Sequence, residues 1–302
     1  MVMDFGQSKK YINRFMLCLL CGFIVSSCSK DIEETGGIEK LRVAVVPVQS
    51  EVLLREKYQP LIDYIKLHLD IEVELLVPES YKQLLDWFDE KKVDLARFGG
   101  VTYVKAHRKS GAVPVVRKNH DDSSRSVLIV KSGSQIYSLK DLKNKSISYG
   151  SRLSTSGHLM PRYYFEQKEI ISENYFSSVK YSGAHDLTAN WVLNGEVDVG
   201  VAKSRIIYEM IKDGRIEDEQ LKIIWQSPLY ADNVWAVQGY IDDKQRRKIR
   251  DAFFMLSQQG AGRKILTKLG VNYYIPAVHM DFVNLEGIVQ RIDKEGKADE
   301  KK

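Results

Sequence analysis

The chain has 302 residues, 44% of them hydrophobic and 28% charged, with a formal charge of +5. That length and apolarity suffice to bury one large core or two modest ones. Its lysines and arginines are interleaved with acids and form no basic stripe with aromatics, which argues against nucleic acid as a ligand.

Lys9, Lys10 and Arg14 precede an apolar run from Phe15 to Val25, closed by Ser26, Ser27 and Cys28. This is the charged, apolar, small-residue order of a secretory signal. A bilayer span needs about 20 apolar residues, so the run reads as cleaved rather than spanning. Val25-Ser26-Ser27-Cys28 resembles the lipobox of bacterial lipoproteins, which implies removal of residues 1–27 and acylation of Cys28. Cys18 and Cys21 leave with the signal, so the mature body holds no thiol, disulfide or thiolate metal ligand, and neither metal nor cofactor is expected. Loss of Lys9, Lys10 and Arg14 together with Asp4 leaves a charge nearer +3, compatible with a small anionic ligand. Residues 28–40, with Gly36-Gly37 and no periodicity, suit a tether.

Strand-like and helix-like segments then alternate. The strand Leu41 to Val46 is followed by a helix with Leu54, Tyr58, Leu61, Ile62, Ile65 and Leu69 on one face, then the strand Ile71 to Val77. A helix after Ser80 and the strand Val93 to Phe98, closed by Gly99-Gly100, complete a βαβαβ run, the pattern of an open parallel sheet. The order repeats: strand Ser146 to Tyr149, helix from about Gly157, strand Val179 to Tyr181, helix from about His185, strand Val197 to Val201. One offset of about 104 residues carries Trp87 and Val93-Asp94 onto Trp191 and Val197-Asp198, and Tyr81 onto His185. With only 4 tryptophans in the chain, that register argues for two related α/β lobes.

Strands Ser126 to Lys131 and Val234 to Gln238 are the expected crossovers, with helices at about Asp242 to Ser257 and Gly260 to Leu269 packing back on the first lobe. The expected division is 41–125 for the first part of lobe 1, 126–233 for lobe 2, 234–283 for the return to lobe 1, and 284–302 for a charged tail. Two connections make a hinge, and ligands of open α/β sheets sit beyond the carboxyl ends of the strands.

The densest polar signal is Ser154-Thr155-Ser156-Gly157-His158, after a strand and at the mouth of a helix. A helix N-terminus offers unpaired N–H groups and a partial positive charge, so it stabilises an oxyanion, and three hydroxyls add donors. Gly157 permits close backbone approach, and Pro161 is tolerated only near the first turn. An ordinary serine N-cap is the competing reading of those residues in isolation.

The run Ser154 to Tyr164 resembles the signature of the periplasmic phosphonate-binding proteins that serve ABC importers of phosphonate, phosphite and phosphate. Val77-Pro78-Glu79-Ser80-Tyr81, Phe98-Gly99-Gly100 with Tyr103, Gly183-Ala184-His185-Asp186, Gly195-Glu196-Val197-Asp198 and Ser227-Pro228-Leu229 leading to Asp232 and Trp235 agree in order and spacing. The resemblance, from about Leu41 to Leu269, implies a type II periplasmic-binding-protein fold, α/β, with two lobes that are each an open, mostly parallel sheet flanked by helices, joined by two crossover strands. It implies capture of a phosphorus oxyanion for an ABC permease and ATPase by a lipid-anchored monomer outside the cytoplasm. It assigns the anion to Ser154, Thr155, Ser156 and Gly157, with Tyr81, Ser126 and His158 as further donors and His185 and Asp186 beside them. Asp186 stands where an acid holds the amine of an aminoalkyl phosphonate; it also suits a protonated oxyanion, or a helix-start carboxylate on backbone N–H groups.

Arg97, Lys203 and Arg205 depart from that pattern and argue against an amine ligand; they match a second anionic group or are simply solvated. Tyr103 reads equally as a cleft residue or a core aromatic. Two other functions stay open: input to a membrane sensor kinase, and a hydrolase with Ser154 or Ser156 as nucleophile, His158 or His185 as base and Asp186 as orienter. The absence of a Gly-x-Ser-x-Gly elbow counts against the hydrolase.

Overall fold

The computed structural model describes residues 39–119, 124–217 and 219–299. The signal run and Cys28 lie outside the described residues. Within them, no helix is long and apolar enough to cross a membrane.

The chain begins with β1 (Lys40–Val45), α1 (Glu51–Leu69), β2 (Glu72–Leu76), α2 (Tyr81–Asp89), β3 (Leu95–Phe98), α3 (Gly100–Ser110) and β4 (Val113–Lys118). It continues through β5 (Ser126–Lys131), β6 (Ser146–Tyr149), α4 (Met160–Glu166), α5 (Ser172–Tyr175), β7 (Ser178–Tyr181), α6 (His185–Leu193), β8 (Val199–Lys203), α7 (Ser204–Lys212) and β9 (Leu221–Gln226). It returns through β10 (Val234–Val237), α8 (Asp243–Met255), α9 (Gly260–Leu269), β11 (Tyr274–Pro276) and α10 (Val283–Asp299).

The strands make two sheets, in the orders β11-β4-β10-β3-β1-β2 and β7-β6-β8-β5-β9. Each sheet is parallel in its βαβαβ part, and mixed as a whole. The strands that enter from the other sheet, β10 and β5, are antiparallel to both their neighbours. A strand arriving across the hinge enters at the carboxyl end of the sheet, so it must run against the strands already there.

Burial follows the sequence pattern. Leu54, Tyr58, Leu61, Ile62 and Ile65 of α1 recur at helical spacing and pack with Ile249 and Phe253 of α8 and Leu266 of α9 on one face of the first sheet. The opposite face carries Leu84 and Phe88 of α2 and Val101 and Val104 of α3. The second sheet is likewise covered on both faces, by residues of α6 and α7 on one and by Phe165 and Phe176 on the other.

The 104-residue offset reappears as paired hydrogen bonds. The Arg42 N–H donates to Asp94 Oδ2 at 2.8 Å, and the Ser146 N–H donates to Asp198 Oδ2 at 2.8 Å. Lys92 N–H donates to the Trp87 carbonyl at 2.8 Å, and Glu196 N–H to the Trp191 carbonyl at 2.9 Å. Tyr81 and His185 are the first residues of α2 and α6.

The C-terminal segment expected as a charged tail is helical over Val283–Asp299. Leu285 and Val289 are buried on the α3 face, with Ile288 and Ile292 packed beside them. The correction has a plain cause: these four apolar residues recur at helical spacing among the charges, and that stripe needs a partner.

The residues that return from the second sheet to the first, 227–233, meet the start of the chain leading into β5 in an antiparallel bridge between Ser124 and Tyr230. Ser126 N–H donates to Ser227 Oγ at 2.9 Å, and the Arg125 guanidinium donates to the Ser227 carbonyl at 2.8 Å. The cleft therefore has a cross-linked floor.

Candidate functional site

Ser154 caps a helical run that begins at Thr155, two residues before the expected start at Gly157. Its first turn is wide: Leu159 N–H reaches back five residues to the Ser154 carbonyl at 3.0 Å. Pro161 explains the widening. It has no N–H to offer the Gly157 carbonyl, which accepts instead from Gly150 N–H at 2.9 Å, tying the turn to the end of β6. Gly157 is required by closeness, since a Cβ there would lie 3.0 Å from His185 Cε1 and 3.1 Å from Ser154 Oγ.

Ser154, Thr155 and Ser156 are all buried. Ser154 Oγ accepts from Gly157 N–H at 2.9 Å, and Thr155 Oγ1 accepts from Val101 N–H of α3 at 3.1 Å. A hydroxyl that accepts from an amide keeps its own proton to donate. Ser156 Oγ lies 3.3 Å from His185 Nε2.

Tyr81, at the start of α2 in the first lobe, reaches Ser154 with its hydroxyl, and burial raises its pKa far above the ordinary phenol value. Ser126 Oγ lies 2.9 Å from the Tyr230 hydroxyl. Tyr230 also reaches Ser156, and burial holds its proton firmly too. Both phenols are thus fixed as neutral donors.

The expected donor His158 and the candidate cleft residue Tyr103 both stand elsewhere. His158 is buried edge-on against Tyr149, with ring centroids 5.3 Å apart, and lies 5.6 Å from Tyr181. Burial, reinforced by Arg162 and Arg152, lowers its pKa to about 3. Tyr103 is fully buried within the first lobe against Phe282, and its hydroxyl meets His279 Nδ1 at 3.1 Å. Of the two readings of Tyr103, the core aromatic is the one observed.

His185 is buried, and burial together with nearby Lys203 lowers its pKa to about 4. Its Nε2 faces Ser156, while Nδ1 has no hydrogen-bond partner among the described residues. Asp186 turns away from it. One Asp186 oxygen accepts from its neighbour Leu187 N–H at 2.9 Å, and the other from Ser50 N–H, at the α1 cap of the first lobe, at 3.2 Å. Geometrically Asp186 is a helix-start carboxylate on backbone amides.

Two of the three cations named as departures are buried. Arg97 is 7% exposed and Lys203 8%. Lys203 Nζ lies 2.6 Å from Asp232 Oδ2, and the other Asp232 oxygen accepts from Gly100 N–H, at the start of α3, at 3.1 Å. Burial alone would raise the Asp232 carboxyl, but the charge of Lys203, its hydrogen bond and the Gly100 amide hold it down at about 2. Arg205 donates to the Leu269 and Gly270 carbonyls at the end of α9 and pairs with Glu209, which also takes Lys57.

Tyr230, Asp232 and the buried state of Arg97 and Lys203 escaped the reading of site residues from sequence. Ser227-Pro228 just before a returning strand was the available signal for the first two, since it marks a crossing segment at the mouth of the cleft. Among the described residues, no cluster of three or more His, Cys, Asp or Glu has the arrangement of a metal site.

The model of a family described as "ABC transporter, phosphonate, periplasmic substrate-binding protein" matches residues 43–282. A probable ABC transporter phosphite-binding protein, PhnD1, of Prochlorococcus marinus is 26% identical over 267 residues, covering 84% of this chain and 90% of that protein. The phosphonates-binding periplasmic protein of Escherichia coli is 27% identical over 237 residues, 76% of this chain and 70% of the relative. The solved structure of the Prochlorococcus protein in complex with methylphosphonate superposes with a TM-score of 0.80 at 25% identity, covering 85% of this chain and 99% of that one.

Proposed function

The chain belongs to the phosphonate-binding family of periplasmic substrate-binding proteins of ABC transporters, and from that membership we propose the residues and chemistry by which it captures its ligand. Its fold is the two-lobed type II periplasmic-binding-protein fold, and its work is extracytoplasmic substrate capture for transport.

The ligand is a phosphorus oxyanion, phosphonate, phosphite or phosphate, held between the lobes. Ser154, Thr155 and Ser156 donate their hydroxyl protons, and the amides at Gly157 and the mouth of its helix add partial positive charge. Tyr81, Ser126 and Tyr230 complete the donors from the first lobe and the hinge. The observation that carries this reading is that convergence: hydroxyls from both lobes and the crossing segment meet in one buried cluster beside Lys203 and Arg97. Neutral donors around a fixed cation stabilise a tetrahedral anion without requiring it to shed all its charge.

Hydrolysis is the weaker reading. Ser156 and His185 stand 3.3 Å apart, but Nδ1 of His185 has no orienting partner among the described residues and Asp186 is engaged with backbone amides. A histidine with a pKa of about 4 is a feeble general base at neutral pH.

The order Lys9-Lys10, apolar run, Ser26-Ser27-Cys28 supports acylation of Cys28 and anchorage on the outer side of a membrane. The partners that follow from the family are the permease and ATPase that accept the cargo, with the protein acting as a monomer.

Calorimetry and thermal shift with phosphate, phosphite, methylphosphonate, aminoethylphosphonate and sulfate test the reading. At ligand 100-fold above its Kd the stabilisation is about 2.7 kcal/mol, or about 5 to 11 °C for a chain of this size. Binding is stoichiometric without turnover. A panel with no response overturns the assignment.

A further inference from the structure

The last carbonyls of a helix have no partner within it and carry a partial negative charge. At the end of α9 they are met by a cation from the other lobe. Arg205, on α7, donates from Nη2 to the Leu269 carbonyl at 2.9 Å and from Nη1 to the Gly270 carbonyl at 2.6 Å. α9 packs on the first sheet through Leu266 and Leu269, whereas α7 packs on the second through Ile206, Ile207 and Met210.

Both sides are shaped for this contact. Gly270 ends α9 in the left-handed conformation, with φ 58°, and a Cβ there would overlap Arg205 Nη2. Arg205 Nε donates to Glu209, one turn along α7, at 2.8 Å, so the planar fork is oriented from its own helix. Glu209 also accepts from Lys57 Nζ of α1 at 2.9 Å, a further bond between the lobes. The Arg205 to Glu209 pair is internal to the second lobe and survives opening, but the bonds to α9 and α1 exist only while the lobes meet. All three guanidinium nitrogens of Arg205 are thus engaged outside the hydroxyl cluster.

We propose that Arg205 is a positioning residue for capture: it touches no ligand, and by capping α9 of the opposite lobe it stabilises the closed form that holds the oxyanion. This rests on the reading of the hydroxyl cluster as a phosphorus-oxyanion site and adds a determinant of its affinity. Contacts made only in the closed form raise the fraction of protein competent to hold ligand, so they multiply the affinity for every enclosed ligand by the same factor. They slow release and leave the encounter with the open cleft unchanged.

The test compares the full chain with Arg205→Met, which keeps the aliphatic stem and loses the donors, and with Arg205→Lys and Lys57→Met. Calorimetry with phosphate, phosphite and methylphosphonate gives affinity and stoichiometry, and stopped-flow tryptophan fluorescence gives the rates. Arg205→Met weakens every ligand that the wild type binds by a common factor of about fivefold or more, as loss of two charge-assisted hydrogen bonds implies. The loss is carried by faster release with one site per chain retained, and Arg205→Lys recovers part of it. Lys57→Met has the same signature. A loss confined to one oxyanion, or carried by slower association, means that Arg205 contacts or steers the ligand and overturns the closing role. Unchanged affinity in Arg205→Met overturns it as well. If Arg205→Met does not fold, Lys57→Met decides by the same criteria. Each of these failures leaves the oxyanion site standing, whereas a wild-type chain silent toward all three ligands overturns both.

Discussion

Lys203 Nζ and Asp232 Oδ2 stand 2.6 Å apart, with both side chains buried. Lys203 ends β8 of the second lobe, whereas Asp232 lies on the returning hinge segment and also holds the first amide of α3. One ion pair therefore ties the second lobe, the hinge and the first lobe's helix mouth together.

Breaking a buried pair from one side strands the other charge. Lys203→Met is expected to lower stability by about 3 to 5 kcal/mol, and adding Asp232→Asn to recover most of it, since the amide oxygen still serves Gly100. Urea denaturation of the two variants reads this; equal losses in single and double variants contradict it.

Acid sensitivity follows from His185 and His158, whose folded pKa values are about 4 and about 3. An unfolded histidine titrates near 6.5, so between about pH 6.5 and 4 the unfolded chain binds more protons than the folded one. Stability is full above that window and falls as pH drops through it. Asp232, held at about 2, adds a further loss below about pH 3.8. Melting temperature against pH measures the effect, and His158→Phe, which fits between Tyr149 and Tyr181, flattens the slope. A melting temperature that rises from pH 7 to 5 is incompatible with neutral, buried imidazoles.

The internal repeat makes an asymmetric prediction. Asp198 accepts from the Ser146 amide and hydroxyl, near solvent. Asp94 does the same for the Arg42 amide and in addition holds the Arg42 guanidinium and the Tyr240 hydroxyl. Asp198→Ala costs about 1 to 2 kcal/mol, and Asp94→Ala about 3 or more. Equal costs would mean that the extra partners of Asp94 contribute nothing.

Element type and order were legible because they depend on local spacing. The α1 stripe, the βαβαβ runs and the 104-residue register all survive into hydrogen bonds such as Arg42 to Asp94 and Ser146 to Asp198. Which polar groups face one another was legible only in part, because it depends on how two lobes meet. Val101 and Thr155 are 54 residues apart in the chain and Ser50 and Asp186 are 136 apart, yet each pair is bonded across the cleft. His158 and Tyr103 sit in motifs that draw attention, but the helical turn sends both side chains into aromatic cores. Lys203 and Arg97 look like solvated residues in sequence, because nothing local says that a strand end will be roofed by another lobe.

The position of phosphorus in a crystal of the chain grown with methylphosphonate tests the central claim most directly. The account predicts the phosphonate oxygens within hydrogen-bond distance of the Ser154, Thr155 and Ser156 hydroxyls and the amides of their turn, with Tyr81 and Tyr230 closing over them. A phosphonate bound away from that turn, with the hydroxyl cluster unchanged beside it, contradicts the account.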